Sequence, residues 1–401
     1  MREGWRIVKL DEIISFERGL TYAKGDEVTH SSVGVLRSNN VDLTTQSLNL
    51  DEIKYLRDDF EVPEKKKVRK SSLLMCMSNG SKDHLGKVAL IDEDLDYAFG
   101  GFMGLITPDD TKVVPKYLYY ALASKSFKDY IHSLADGANI NNLKYKDLAA
   151  YDILLLPLPE QQRIVDILDR EFAKIDALKA NAEKSLQVAK DLFRHISNGY
   201  YNEPSPVSKL GDECIFVRGP FGGSLKKSCF VPFGYPVYEQ QHAIYSTFTF
   251  RYFVNEEKYN EMKRFTTHPG DLIMSCSGTI GKVAIIPEDA PIGIINQALL
   301  KLTPKKRILP EYLKWYMQSI SFEKDIQRHS KGAAIQNVAS VAILKEIAIP
   351  VPTIEKQKQI VARLDDLNER CNALQENYQK TLTLCDDLKQ SLLRKAFNGE
   401  M

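Results

Sequence analysis

Two loops of this chain combine glycine and basic side chains with a nearby strand end that is rich in amides. The first loop runs from Arg18 to Lys24 and precedes the run Arg37 to Asn40. The second runs from Arg218 to Lys227 and precedes the run Tyr238 to His242. Asn and Gln side chains can bond adenine through two hydrogen bonds, and Arg or Lys can bond guanine or phosphate. The two loops are therefore typical of a surface that binds DNA.

We predict DNA contacts from these loops and from two nearby segments in which a lysine follows a glycine. Amide clusters also occur in ordinary turns, and a lysine at the start of a strand is often only solvated, so a structural role is the alternative for each. The predicted DNA-binding residues are Arg18, Tyr22, Lys24, Arg37, Asn39, Asn40, Lys82, Lys87, Arg218, Ser224, Lys226, Lys227, Tyr238, Gln240, Gln241, His242, Thr279 and Lys282.

Two glycine-rich segments resemble sites for phosphate or nucleotide, and both depart from the pattern. In the segment that ends at Lys282, Cys276 replaces the first glycine of a phosphate-binding loop and Val283 replaces its hydroxyl residue. Gly100 to Gly104 is not followed by the helix of a dinucleotide-binding unit. The sequence has no H-E-x-x-H and no G-x-S-x-G motif. We therefore predict a binding role, with no catalytic residue, metal site or cofactor in this chain.

The composition is that of an ordinary soluble protein, with 43% hydrophobic and 27% charged residues and a net charge of +1. Such a charge neither supports nor excludes a nucleic-acid partner. The sequence has no long apolar run and its first residues lack the apolar segment of a signal peptide, so we expect no membrane span and a cytoplasmic location. The 6 cysteines form no C-x-x-C pair and are expected to be buried thiols.

Short motifs recur along the chain at an offset of roughly 195 to 200 residues. This period exceeds the ~20–50 residues of a solenoid repeat, so it indicates a tandem duplication of a globular domain and a helix. The paired segments are Arg18-Gly19 with Arg218-Gly219, Gly86 to Ala89 with Gly281 to Ala284, Gly137 to Asn142 with Gly332 to Asn337, Leu156 to Pro159 with Ile349 to Pro352, and Asn198-Gly199 with Asn398-Gly399. A protein with two such domains is expected to bind a partner with two similar halves.

Each copy contains short apolar runs bounded by turn residues, which are typical of strands, and one segment with helical spacing. Lys116 to Ile131 and Tyr312 to Ile326 are the predicted helices of the domains. The predicted fold class is α+β, with two repeated mixed α/β domains separated by two long helices that form an antiparallel coiled coil. The predicted boundaries are residues 1–155 and 201–350 for the domains, and 156–200 and 351–401 for the long helices.

Apolar residues repeat every three or four positions in both long helices, which is typical of a coiled coil. The short segment between the first long helix and the second domain favours antiparallel pairing, and the two chain ends are then expected to lie close together. Thr353 is predicted to cap the second helix, and Gly199 and Gly399 to end the two helices. The second helix is expected to contain about four more residues, or one turn.

The order of domains and helices, with the segments Leu156 to Val165, Gln359 to Val361 and Leu392 to Gly399, resembles the specificity subunits of type I restriction–modification systems. The resemblance covers essentially the whole chain. It implies that the domains are target recognition domains, each reading half of a bipartite, asymmetric site in double-stranded DNA, and that the helices are spacers.

The resemblance also implies a non-catalytic chain that recruits other subunits. These are two methyltransferase (modification) subunits, which methylate adenine N6 with S-adenosylmethionine, and restriction (translocase–endonuclease) subunits, which use ATP and Mg. Two other interpretations stay open. The chain is either a specificity chain of another restriction class or a coiled-coil scaffold or adaptor protein without DNA readout, and co-purification of a methyltransferase distinguishes the scaffold from the specificity chains.

Overall fold

The computed structural model describes residues 4–135, 142–221, 223–277, 279–329 and 341–401. The chain forms two compact units, Met1–Ala182 with Lys380–Met401 and Glu183–Gln379. Each unit therefore holds one globular domain with part of both long helices. The paired motifs that begin at Gly137 and Gly332 lie outside the described residues, apart from Asn142.

The first domain consists of short strands and helices followed by a long helix. Its strands are β1 (Arg6–Lys9), β2 (Ile14–Arg18), β3 (Glu27–Val28), β4 (Val33–Leu36), β5 (Lys54–Leu56), β6 (Leu73–Cys76), β7 (Val88–Leu90), β8 (Tyr97–Phe99), β9 (Met103–Pro108) and β10 (Asp152–Leu155). Its α-helices are α1 (Pro115–Leu122), α2 (Lys125–Ala135), α3 (Tyr145–Ala149) and the long helix α4 (Leu158–Tyr201). Short 3-10 turns occupy Leu10–Glu12, Lys24–Asp26, Ser38–Asn40, Glu64–Lys66 and Lys82–His84.

The second domain repeats this arrangement. Its strands are β11 (Val207–Lys209), β12 (Cys214–Arg218), β13 (Phe230–Val231), β14 (Tyr235–Tyr238), β15 (Phe253–Val254), β16 (Leu272–Ser275), β17 (Val283–Ile285), β18 (Ile294–Ile295), β19 (Leu299–Pro304) and β20 (Ala348–Pro350). Its α-helices are α5 (Leu210–Glu213), α6 (Gln240–Tyr245), α7 (Glu256–Glu261), α8 (Pro310–Met317), α9 (Ile320–His329), α10 (Val341–Glu346) and the long helix α11 (Ile354–Phe397). Short 3-10 turns occupy Lys227–Cys229 and Lys263–Phe265.

The sheet topology confirms the duplication. The first domain has an antiparallel sheet in the order β2-β9-β6-β7, a sheet in the order β3-β5-β4-β8 with β4 and β8 parallel, and the pair β1-β10. The second domain has the orders β12-β19-β16-β17 and β13-β15-β14-β18, again with a parallel final pair, and the pair β11-β20. Every strand of one domain therefore has a counterpart in the other.

Strand β6 is buried on both faces. Leu73 and Met75 pack in one core with residues of α1 and α2, whereas Leu74 and Cys76 pack in a second core with residues of β4 and β8. A strand covered on both sides is a continuous apolar run rather than an alternating one. Strand β6 is thus one of the strands predicted from the short apolar runs of the first copy.

The helices predicted at Lys116 to Ile131 and at Tyr312 to Ile326 are each divided into two shorter helices, α1 and α2 in the first domain and α8 and α9 in the second. A buried serine ends the first and starts the second: the Ser124 hydroxyl accepts from the Phe127 amide at 3.3 Å, and the Ser319 hydroxyl accepts from the Phe322 amide at 3.2 Å. A serine in this position competes with the helical backbone for hydrogen bonds. Helical spacing alone does not reveal such a break.

The long helices run antiparallel within each unit. In the first unit Lys179 pairs with Asp386 at 2.7 Å, and Asp176 pairs with Lys389, so the partner number falls as the residue number rises. In the second unit residues from the end of α4 and the start of α11 share one core. The predicted antiparallel pairing is confirmed within both units.

A buried glutamine near the start of α4 binds the preceding domain. The Gln161 Nε2 donates to the carbonyl oxygens of Lys112 and Leu156 at 2.9 and 2.7 Å, and its Oε1 accepts from the Val114 amide at 2.8 Å. The side chain is fully buried. Its amide therefore fixes where the helix begins relative to the domain.

Gln357 makes the same bonds at the start of α11. Its Nε2 donates to the carbonyl oxygens of Arg307 and Pro352 at 2.8 and 2.9 Å, and its Oε1 accepts from the Leu309 amide at 2.8 Å. Leu156 is thus equivalent to Pro352. The predicted pairing of Leu156 with Ile349 is wrong, because the glutamine bonds, and not the prolines, fix the register.

Both long helices contain 44 residues, so the prediction of a longer second helix is wrong. Helix α4 continues through Gly199, whereas Gly399 lies beyond the end of α11 with a φ of +77°. Asn198 inside α4 accepts two hydrogen bonds from Ser321 at 2.8 Å. The two Asn-Gly motifs therefore do not occupy equivalent positions. The Thr353 cap is confirmed by its bond with the Lys356 amide at 3.4 Å.

The two ends of the chain meet in the first unit, as predicted. Trp5 and Phe397 pack against one core, and a Cβ added to Gly399 would lie 2.3 Å from the Trp5 ring.

Alanine substitutions at the two Asn-Gly motifs are expected to have opposite effects. Gly399→Ala should lower the melting temperature, because its φ is positive and its Cβ would collide with Trp5. Gly199→Ala should raise stability by roughly 0.5–1 kcal/mol, because a helical alanine there meets open space. Thermal unfolding of the two variants tests this, and equal shifts would contradict it.

Candidate nucleic-acid interface

A groove of about 1010 Å³ opens in the first domain where several strands end. It is lined by residues that follow β2, β4, β6 and β8. The predicted DNA-binding residues in its lining are Arg18, Tyr22, Lys24, Arg37 and Asn39. The structure therefore brings these side chains together on one surface.

The approach of two backbone segments shapes this groove. A Cβ on Gly19 would lie 1.9 Å from the Gly100 carbonyl oxygen, and the Leu20 amide donates to the Phe99 carbonyl at 2.7 Å. Only glycine allows this contact. In the second domain a Cβ on Gly219 would likewise lie 1.9 Å from the Asn296 carbonyl oxygen. The repeated Arg-Gly motif thus ends a strand against a neighbouring turn.

Asn40 holds the turn that follows β4 and is not part of the groove surface. Its Oδ1 accepts from the Arg37 amide at 2.8 Å, and its Nδ2 donates to the carbonyl oxygens of Asn49 and Glu52 at 2.9 Å. The side chain is buried. The prediction that Asn40 contacts a base is wrong, whereas Asn39 is exposed and stays a candidate.

The groove combines cations with carboxylates. Glu27 pairs with Lys54 at 2.8 Å, and this hydrogen bond lowers the pKa of the Glu27 carboxyl. Burial raises the pKa of the Tyr22 hydroxyl, an effect that the Arg37 charge opposes. Both groups therefore hold their usual charge state near neutral pH.

Lys87 is buried and does not reach the surface. Its Nζ donates to the Val41 carbonyl at 2.7 Å, and burial lowers its pKa. The predicted phosphate contact of Lys87 is therefore wrong. Lys82 is exposed in the 3-10 turn Lys82–His84 and lies outside the lining of the groove.

Two predicted side chains of the second domain are also structural. His242 is buried like Asn40, and its Nδ1 accepts from the Glu239 amide at 2.7 Å, the same bond that Asn40 makes with Arg37. Its Nε2 lies 3.0 Å from the Thr249 carbonyl oxygen. Tyr238 is buried, and burial raises its pKa to about 12. The predicted base contacts of His242 and Tyr238 are wrong.

The other predicted residues of the second domain reach the surface. Gln240 is half-buried and donates to the Thr279 carbonyl at 3.3 Å, which joins the turn after β14 to the loop after β16. Ser224 and Gln241 are half-buried as well. The exposed ones are Arg218, Lys226, Lys227, Thr279 and Lys282. Lys282 is thus exposed although its counterpart Lys87 is buried.

Several groove residues escaped the sequence-based prediction. Phe102 lines the groove and is 68% exposed, and Asn79 lines it beside the turn after β4, bonded to the Ser38 hydroxyl at 2.8 Å. The signal in the sequence was that Phe102, an aromatic residue, lies between Gly101 and Gly104. In the second domain Phe221 is 94% exposed.

The cysteines are free thiols, and all but Cys229 are buried as expected. Among the described residues no cluster of three or more His, Cys, Asp or Glu side chains could hold a metal ion. None of the helices in the described part of the chain is both long and apolar enough to cross a membrane.

Comparison with known proteins places the chain in a family. The type I restriction modification DNA specificity domain matches residues 2–187 and 222–384. Because this match covers most of the chain, the chain belongs to that family, whose members are the specificity subunits, and not the catalytic subunits, of type I restriction–modification systems.

Relatives of known sequence or structure cover the chain from end to end. It is 25% identical over 424 residues to the EcoKI specificity subunit of Escherichia coli K12. This alignment covers 100% of this chain and 89% of the EcoKI subunit. A solved chain from work on complex assembly and conformational transition of the type I R-M system has a TM-score of 0.79 at 19% identity, covering 100% and 99% of the two chains. The HsdS subunit of Thermoanaerobacter tengcongensis has a TM-score of 0.58 at 19% identity, covering 100% and 98%. The structural comparisons show a shared fold.

Proposed function

We propose that this chain directs a type I restriction–modification complex to a bipartite, asymmetric site in double-stranded DNA. Each target recognition domain reads one half-site through the loops at the ends of its strands. The long helices set the number of base pairs between the halves. The proposed boundaries are residues 1–155 and 201–350 for the target recognition domains, and 156–200 and 351–401 for the spacer helices.

The duplication carries this proposal. Both domains have the same topology and place exposed polar loops after the same strands. The loop side chains differ, however, as Arg37 of the first domain occupies the position of Glu239 in the second. Two equal scaffolds with different loops fit a site with two different halves.

The catalytic steps are proposed to belong to partner subunits. Two modification subunits would methylate adenine N6 with S-adenosylmethionine, and restriction subunits would use ATP and Mg to translocate and cut DNA. This chain would bind none of these cofactors, and the complex would act in the cytoplasm.

Co-expression with the modification subunit of the same host tests the proposal. The chain should co-purify with that subunit, and the complex should select, from a random duplex library, two short conserved blocks with a fixed gap. A complex that selects one continuous block would overturn the bipartite reading. A chain that retains neither methyltransferase nor DNA would instead be a scaffold protein.

Single amide removals should affect one half-site each. Asn39→Ala should weaken selection in the first half-site and Gln241→Ala in the second, by about 1–3 kcal/mol at one base pair. The reason is that both side chains follow equivalent strand ends and are accessible. Binding to duplexes varied at each position measures this, with Gln162→Ala as a matched control on an exposed amide of α4 outside the predicted interface. Loss in both half-sites from either amide removal would contradict it.

A further inference from the structure

Arg37 is held rigidly at the end of β4 in the first domain. Its amide donates to the Asn40 Oδ1 at 2.8 Å, and the carbonyl of the preceding Leu36 accepts from the Gly100 amide at 2.8 Å. Asn40 is itself buried and fully bonded. The backbone that carries Arg37 is therefore fixed on both sides before any ligand binds, which reduces the entropy lost on binding.

Among the described residues the guanidinium of Arg37 makes no hydrogen bond and no ion pair. Its Nε is shielded from solvent. Other arginines of the domain are paired: Arg57 lies 3.1 Å from Asp59, and Arg69 binds Glu64. The groove carboxylate Glu27 is occupied by Lys54. Because Arg37 lines the open groove, its unpaired guanidinium is available to an external hydrogen-bond acceptor.

Building on the proposed function, we propose that Arg37 reads a guanine in the first half-site. The groove that Arg37 lines is open to solvent and contains further cations, Arg18 and Lys24, which suit the flanking phosphates. An arginine fork bonds the O6 and N7 of guanine in the major groove, and this is the commonest specific contact between a side chain and a base. Arg37 thereby determines one G·C pair of the site.

The second domain has a glutamate, and not an arginine, at the position equivalent to Arg37. Glu239, at the equivalent position, is buried and bound at both oxygens by Arg251, at 2.8 and 2.9 Å. Its carboxylate is satisfied within the protein, and the Arg251 guanidinium lies 4.9 Å from the centre of the Tyr252 ring. The guanine assignment therefore applies to the first half-site alone.

The test uses the purified complex of the full chain with its modification subunits and duplexes in which each position of both half-sites is varied. The wild-type complex should prefer guanine at one position of the first half-site by about 5- to 150-fold. Arg37→Ala should abolish that preference and leave the other positions unchanged. Arg37→Lys should weaken the preference, because lysine keeps the charge and can still bond guanine but lacks the fork. Lys24→Ala, in the same groove, should weaken all duplexes equally.

The second half-site serves as the internal control for folding, since its preferences should persist in every variant. Retention of the full guanine preference by Arg37→Ala would show that another side chain reads this base pair and would overturn the assignment, as would an Arg37-dependent position that selects another base. The wild-type complex could select two blocks while both Arg37 variants keep the base preferences of the first block. That result would refute the role of Arg37 but not the proposed function. A wild-type complex without two blocks would refute the proposed function as well.

Discussion

Inserting four residues into each long helix is expected to lengthen the gap between the two recognised half-sites by nearly two base pairs. Four residues add ~6 Å to a helix, and one base pair occupies ~3.4 Å of duplex. The insertions belong between Ala182 and Glu183 and between Gln379 and Lys380, where the chain passes from one compact unit to the other. Contacts within each unit are then retained. Selection from a library with variable gaps measures the result.

Insertion into one helix alone is the matched control. It shifts one helix past the other, so it should reduce stability and binding rather than change the gap. Recovery of an unchanged gap from a folded and active double insertion would show that something other than the helices sets the distance between the half-sites.

Replacing Gln161 by leucine is expected to destabilise the first unit by roughly 3–5 kcal/mol. The change removes the bonds of the buried Gln161 amide with the carbonyls of Lys112 and Leu156 and with the amide of Val114. Gln357→Leu should have the same effect in the second unit, because its bonds are equivalent. Chemical unfolding followed by circular dichroism measures both.

The neighbouring glutamine provides the control for this prediction. Gln162 is exposed and bonds only the Asp166 side chain, at 2.8 Å, so Gln162→Leu should change stability by no more than ~0.5 kcal/mol. Equal losses from Gln161→Leu and Gln162→Leu would show that the buried amide does not anchor the helix.

The sequence predicted the features that depend on one residue type at a fixed place. The duplication was visible at Arg18-Gly19 and Arg218-Gly219 because a glycine is required where the strand end meets a neighbouring carbonyl. The central strand β6 was visible because both of its faces are buried. Helix pairing followed from the apolar spacing, which is set by contact between two helices.

The roles of individual site residues could not be predicted in the same way. Asn40 and His242 make the same turn-holding bond although their types differ, so no motif marks their equivalence. Lys87 and Lys282 share a motif, yet only Lys87 is buried. Its Nζ donates to the carbonyl of Val41, which belongs to a distant segment of the chain. In both cases the function depends on partners brought by the tertiary fold, and residue type alone does not reveal it.

The measurement that tests the central claim most directly is a map of adenine methylation in the genome of a host that carries the modification-subunit gene, with and without the gene for this chain. We expect one motif of two short, different blocks separated by a fixed gap, present only with this chain. Identical methylation in both strains, or a chain-dependent motif formed by one continuous block, would contradict the claim that two duplicated domains read the two halves of one site.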